Sequence, residues 1–110
     1  MLNVKRGDLV TIAVSGDYGK PRPAVIIQAD AFDDLASLTV APLTSEIYQA
    51  PLLRVAIPPE KETGLHKLSQ VMVDKITTVP RSKIGQRIGS VEASTLRAIN
   101  QALKGFLDLE

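Results

Sequence analysis

Four short apolar runs constrain this fold more than any other feature of the sequence: "LVTIAV" (9–14), "PAVIIQ" (23–28), "LTVAPL" (38–43) and "LLRVAI" (52–57). Each is rich in β-branched or aliphatic residues, too short for a helix that persists in water, and bounded by turn-forming residues, so each reads as a strand. The first ends in Ser15-Gly16-Asp17-Tyr18-Gly19 and the last is stopped by Pro58-Pro59. "PAVIIQ" is continuous rather than alternating, the pattern of a central strand packed on both faces. Pro42 near the end of the third run fits a strand edge or a bulge.

The remainder is read around those strands. "ADAFDDLAS" (29–37) is too short and too rich in aspartate for an independent helix and is expected as a connector. After a charged loop, "LSQVMVDKITTV" (68–79) predicts one strand or two, with a break near Asp74-Lys75 and closure at Pro80. The pairs Ile84-Gly85 and Ile88-Gly89 read as loop punctuation. Only the C-terminal segment has helical periodicity: Ser90 is the expected N-cap, Glu92 suits the positive end of the dipole, and Leu96, Ile99, Leu103 and Phe106 share one face.

Strands first and one long helix last, without βαβ alternation, predict a mainly β (α+β) fold. The expected form is a small, strongly curved antiparallel sheet or partly open barrel with the helix packed on it. With 110 residues, 45% of them hydrophobic, a single domain over 1–110 is expected.

Several function classes are excluded early. There is no cysteine and one histidine, so neither a disulfide framework, a thiolate zinc site nor a multi-histidine metal site can form. No metal or other cofactor is expected. His66, beside Gly64 and Lys67 in a polar loop, reads as an exposed loop histidine, with a catalytic role as the lesser alternative. The opening "MLNVKRGDLV" lacks the apolar centre of a signal peptide and no window approaches a membrane span, so a cytoplasmic protein without a membrane partner is expected. A net charge of +1 argues against coating nucleic acid by bulk attraction, but permits a local basic groove.

Within Lys20-Pro21-Arg22-Pro23 each proline fixes its own φ and restricts the residue before it, which holds Arg22 extended. A pre-ordered guanidinium offers a planar fork of donors suited to phosphate oxygens; pairing with a carboxylate at a sheet edge is the alternative. Thr44-Ser45 stands where the third strand leaves the sheet, where hydroxyls can donate to an anionic oxygen or simply form a turn. Asp74 interrupts an apolar segment and must find a partner or face water. Lys75, Arg81, Lys83 and Arg87 lie in an acid-free stretch from Lys75 to Val91 that could wall an anion groove or remain a solvated loop. Tyr18 and Tyr48 fall in the loops near Arg22 and Thr44, where they can stack on unpaired bases.

In order, "KRGDLVTIAV", Gly19-Lys20-Pro21-Arg22-Pro23, "AVIIQ", "VAPLTS" and "VMVDKITTV" resemble the MazF/PemK/Kid toxins of bacterial toxin–antitoxin pairs, over nearly the whole chain. The resemblance implies an SH3-like, CcdB-like barrel with a C-terminal helix, a homodimer, and a metal-independent endoribonuclease that cuts single-stranded RNA at short preferred sequences. It implies a cognate antitoxin whose disordered tail fills the RNA groove, and operator DNA contacted only through that antitoxin. By the resemblance Arg22 and Thr44 match the catalytic arginine and threonine, Asp17 falls where many members carry a functional glutamate, and Asp74 matches an acid that some members use. Tyr18, Lys20, Ser45, Tyr48, Lys75 and Arg81 are the expected RNA-binding residues.

Two departures stand out. Met72 replaces the arginine that one branch places two positions before the acid, and Pro21 precedes Arg22. Both give Arg22 and Thr44 more weight than Asp74. The rival readings are a non-enzymatic CcdB-like gyrase poison, disfavoured because its C-terminal tryptophan is absent here, and an inactive toxin-fold binding module.

Overall fold

A computed structural model describes residues 3–13 and 20–110. Seven strands precede one helix: β1 (Asp8–Ile12), β2 (Arg22–Ile26), β3 (Ser37–Thr44), β4 (Arg54–Ile57), β5 (Ser69–Met72), β6 (Thr77–Pro80), β7 (Ile84–Ser90) and α1 (Ala93–Leu107). Single 3-10 turns occupy Asp30–Phe32, Val73–Lys75 and Arg81–Lys83. The strand order is β4-β5-β3-β2-β1-β7, every pairing is antiparallel, and β6 pairs with β3 beside this path. The pairing does not close between β4 and β7 among the described residues, so the fold is barrel-like with an open seam.

β3 organises the molecule. Its first half, Ser37 to Val40, pairs with β6, and its last two residues, Leu43 and Thr44, pair with β5. Pro42 sits at the hand-over between these neighbours, where the missing N–H interrupts no ladder on that side. The Val73–Lys75 turn carries the chain from β5 to β6 and is the break expected near Asp74-Lys75.

The continuous run in β2 is buried on both faces, as its pattern requires. Ala24 and Ile26 join a cluster with Val10, Ile12, Leu38 and Val40. Val25 joins the opposite cluster with Leu9, Ala41, Leu43, Ile57 and Val71. Helix α1 closes the second cluster with Ile99, fully buried, while Leu96 and Leu103 are half-buried. Phe106 is 45% exposed and faces a groove with Leu52 and Val55 instead of the core.

Three expectations are corrected. Ile84-Gly85 and Ile88-Gly89 are not loop punctuation: they lie within β7, which pairs with β1 through register shifts on either side of Val10. Gly89 is there because Thr63 backbone packs where its side chain would be. Ser90 is not the N-cap but the end of β7, paired with Asp8, and the helix begins after Glu92 without a side-chain cap bond. Finally, Leu52 and Leu53 belong to the turn before β4.

Candidate nucleic-acid interface

Antiparallel pairing brings the two residues of greatest interest to one place. β2 and β3 are in register at Ala24↔Pro42, Val25↔Ala41 and Ile26↔Val40, and extending that ladder by two residues sets Arg22 opposite Thr44. Arg22 is the exposed first residue of β2, held on its other side opposite Ile12 of β1. The buried triplet Ala24–Ile26 behind it fixes the strand. Thr44 is half-buried at the end of β3, and its Oγ1 accepts the Glu46 N–H at 3.1 Å, which leaves its own O–H to donate.

Arg22, Leu43 and Thr44 form the shared wall of two depressions. One, of about 440 Å³, adds Thr11, Ser45, His66, Lys67 and Gln86. The other, of about 390 Å³, adds Met72, Lys75 and Thr77. Among the described residues no aspartate or glutamate lines either one. The cations, hydroxyls and side-chain amide of these linings form a surface that suits an anionic ligand.

Ser45 and Lys75 therefore join Arg22 and Thr44, and Lys20 is exposed two residues before Arg22. Asp74 does not line either depression. Its Oδ1 is buried without a hydrogen-bond partner and its Oδ2 lies 3.7 Å from Lys75 Nζ. Tyr48 stands in a neighbouring dent with Arg54 and Gln70: the Arg54 guanidinium lies 5.0 Å from its ring centroid, and its hydroxyl donates to the Glu46 carboxylate at 3.1 Å.

Arg81 is placed elsewhere. Its guanidinium donates to the Leu35 carbonyl at 2.6 Å and to the Asp33 carbonyl, tying down the connector at the Ser37 end of β3. At about 3.3 Å per residue, that is roughly 20 Å along the strand from Thr44. Arg87 pairs with the buried Asp8 at 3.2 Å. The acid-free stretch from Lys75 to Val91 thus splits among three tasks and does not form one basic wall. Asp17 and Tyr18 lie outside the described residues.

Sequence reasoning missed Thr11, Lys67 and Gln86 and gave His66 only a lesser alternative. His66 is exposed, as expected of a loop histidine, yet it lines the Arg22–Thr44 depression. Gln86 reaches it from β7, the strand read as a loop. The run 84–89 shows no apolar alternation that marks a strand, and its pairing with β1 is a long-range contact that no local pattern displays.

Known proteins resemble this chain in sequence and in fold. The profile of the family described as "PemK-like, MazF-like toxin of type II toxin-antitoxin system" matches residues 5–107. The chain is 47% identical over 107 residues to the probable endoribonuclease MazF of Mycolicibacterium smegmatis, covering 96% of this chain and 98% of that protein. It is 25% identical to endoribonuclease EndoA of Bacillus subtilis, over 96% of each. The solved structure of Mycobacterium tuberculosis toxin MazF-mt6 superposes with a TM-score of 0.81 at 26% identity, over 94% of this chain and 98% of that one. A mycobacterial endoribonuclease in complex with its cognate antitoxin shares the fold, with a TM-score of 0.83 at 24% identity over 98% of both chains. A profile match over most of the chain and a relative at this identity lead to one conclusion: the chain belongs to the PemK-like, MazF-like toxin family of type II toxin–antitoxin systems.

Proposed function

We propose that this chain is the toxin of a toxin–antitoxin pair, a single-domain cytoplasmic endoribonuclease that cuts single-stranded RNA at the Arg22–Thr44 cleft. The observation that carries the reading is the register of β2 and β3, which sets a guanidinium opposite a hydroxyl in a depression whose described lining holds no carboxylate. The names of the relatives support the activity, and the antitoxin-bound neighbour supports an antitoxin as protein partner.

RNA supplies its own nucleophile. The 2′-OH lies beside the scissile phosphate, so the protein has to align it for in-line attack, take its proton and stabilise the added negative charge. Arg22 is suited to bind the non-bridging oxygens, and Thr44 with Ser45 to donate further hydrogen bonds to them. Arginine holds its protons too tightly to act as a proton carrier itself. The products are a 2′,3′-cyclic phosphate and a 5′-hydroxyl.

The test is incubation of purified, EDTA-treated protein with a long unstructured RNA, alongside Arg22→Ala. Wild type is expected to release fragments with 5′-hydroxyl ends, the variant to be slower by about 10²–10³, and a 2′-deoxy nucleotide at the mapped cut to block cleavage. Equal rates for wild type and Arg22→Ala, or normal cleavage of the deoxy substrate, overturn the reading.

A further inference from the structure

We infer that His66 is the general base of the cleavage, an inference that rests on the endoribonuclease reading above. Neutral His66 takes the proton of the attacking 2′-OH. The 2′-oxygen then bonds to phosphorus as the P–O5′ bond breaks, and the departing 5′-oxygen takes a proton from water on the opposite side of the in-line array.

The argument begins with what the cleft contains. Among the described residues lining the two depressions, the ionisable side chains are Arg22, His66, Lys67 and Lys75. Guanidinium and ammonium groups are protonated at neutral pH and can donate, but they hold no free lone pair. Imidazole is the side chain that exchanges a proton between about pH 5 and 8, so among the described lining residues the lone pair suited to abstraction is that of His66. Among the described residues, the charged groups that share its depression are Arg22 from β2 and the adjacent Lys67, both cationic.

The loop backbone on either side of His66 is anchored. Thr63, 4% exposed, anchors its start: Oγ1 accepts the Glu60 N–H at 3.0 Å and the Leu65 N–H at 3.3 Å, and lies 3.0 Å from the Pro58 carbonyl. Gly64 has φ +71, and a side chain there would strike the Ile88 carbonyl, so the loop backbone is pressed directly onto β7. Ser90 N–H donates to the Glu62 carbonyl at 2.8 Å, and Ser69 Oγ donates to the Lys67 carbonyl at 3.0 Å. His66 is thereby fixed on both sides in sequence, although it belongs to an exposed loop. A proton carrier gains from such restraint because its contribution depends on alignment.

The experiment measures initial rates of RNA cleavage from pH 4.5 to 8.5 for wild type, His66→Gln, Asp17→Asn and Arg22→Ala, with thermal melting to verify folding. His66→Gln is expected to cut about 10²–10⁴-fold more slowly and to lose the acidic limb of the profile. Added imidazole is expected to restore part of the rate to His66→Gly with that limb. Asp17→Asn retains the limb. A folded His66→Gln that keeps the acidic limb, whatever its rate, overturns the inference, as does a limb that vanishes in Asp17→Asn instead. If those results come with an inactive Arg22→Ala, His66 fails while the endoribonuclease reading stands. RNA left intact by wild type rejects both.

Discussion

Arg22 and Thr44 illustrate how much a single side chain can be asked to do when its backbone is already placed. Arg22 opens a strand whose next residue is proline and whose following three are buried, so its ordering cost is largely met by folding. Lysine at this position keeps the charge but loses the planar fork. Arg22→Lys is therefore expected to lower kcat by about 10²-fold on RNA, with stability unchanged within about 0.5 kcal/mol because the site is exposed; single-turnover rates and a melting curve check the two halves. Thr44→Val removes the hydroxyl while keeping the shape, and also strips the Glu46 N–H of its acceptor. A loss of about 10²-fold is expected for valine, with serine restoring most of it. Equal losses for valine and serine would point to packing, not donation.

At the scale of elements, the loop from Pro58 to Lys67 matters as much as any strand, because it seats His66 and closes against β7. Thr63 is its hub. Thr63→Val preserves volume but leaves the Glu60 and Leu65 N–H groups without their acceptor, at an expected cost of about 1–3 kcal/mol by denaturant unfolding. Gly89→Ala forces the same seam apart from the other side, and a comparable loss of about 1–3 kcal/mol is expected. This seam also marks the boundary of what the sequence makes legible. The four apolar runs, the break at Asp74-Lys75 and the apolar face of α1 are local patterns, and each emerges as an element. β7 did not, because its glycines serve contacts with chain more than twenty residues away, and a glycine that admits a neighbour looks the same in sequence as one that makes a turn. Ser90 is no cap for the same reason, its backbone being engaged by Asp8 and Glu62. In the site, Arg22 and Thr44 stood out through motif and resemblance. His66 and Gln86 enter only through the packing of β7, and Arg81 leaves because the connector carbonyls capture its guanidinium.

For the molecule as a whole, charge is the quantity that links fold to partner. Thirteen basic and twelve acidic side chains nearly cancel, so no strong long-range field draws in RNA. Affinity has to arise where the fold separates the signs locally, and the pair of depressions is such a place: Arg22 stands in the wall they share, Lys67 lines one and Lys75 the other, no carboxylate is among the described lining residues, and Lys20 is exposed two residues before Arg22. Three or four cations meeting a single strand predict a log–log dependence of binding on salt with a slope of about −2 to −3, at roughly −0.7 per neutralised phosphate. An uncleavable RNA with a 2′-deoxy nucleotide at the mapped cut, titrated from low to physiological salt, measures this slope directly. Lys75→Ala is expected to make it shallower by about 0.7, while the rate at saturating RNA changes far less than it does for Arg22→Lys, because Lys75 touches only the second depression. A slope steeper than −5 would mean that RNA also follows cations beyond the cleft, and the balance of charge over the rest of the surface argues against it.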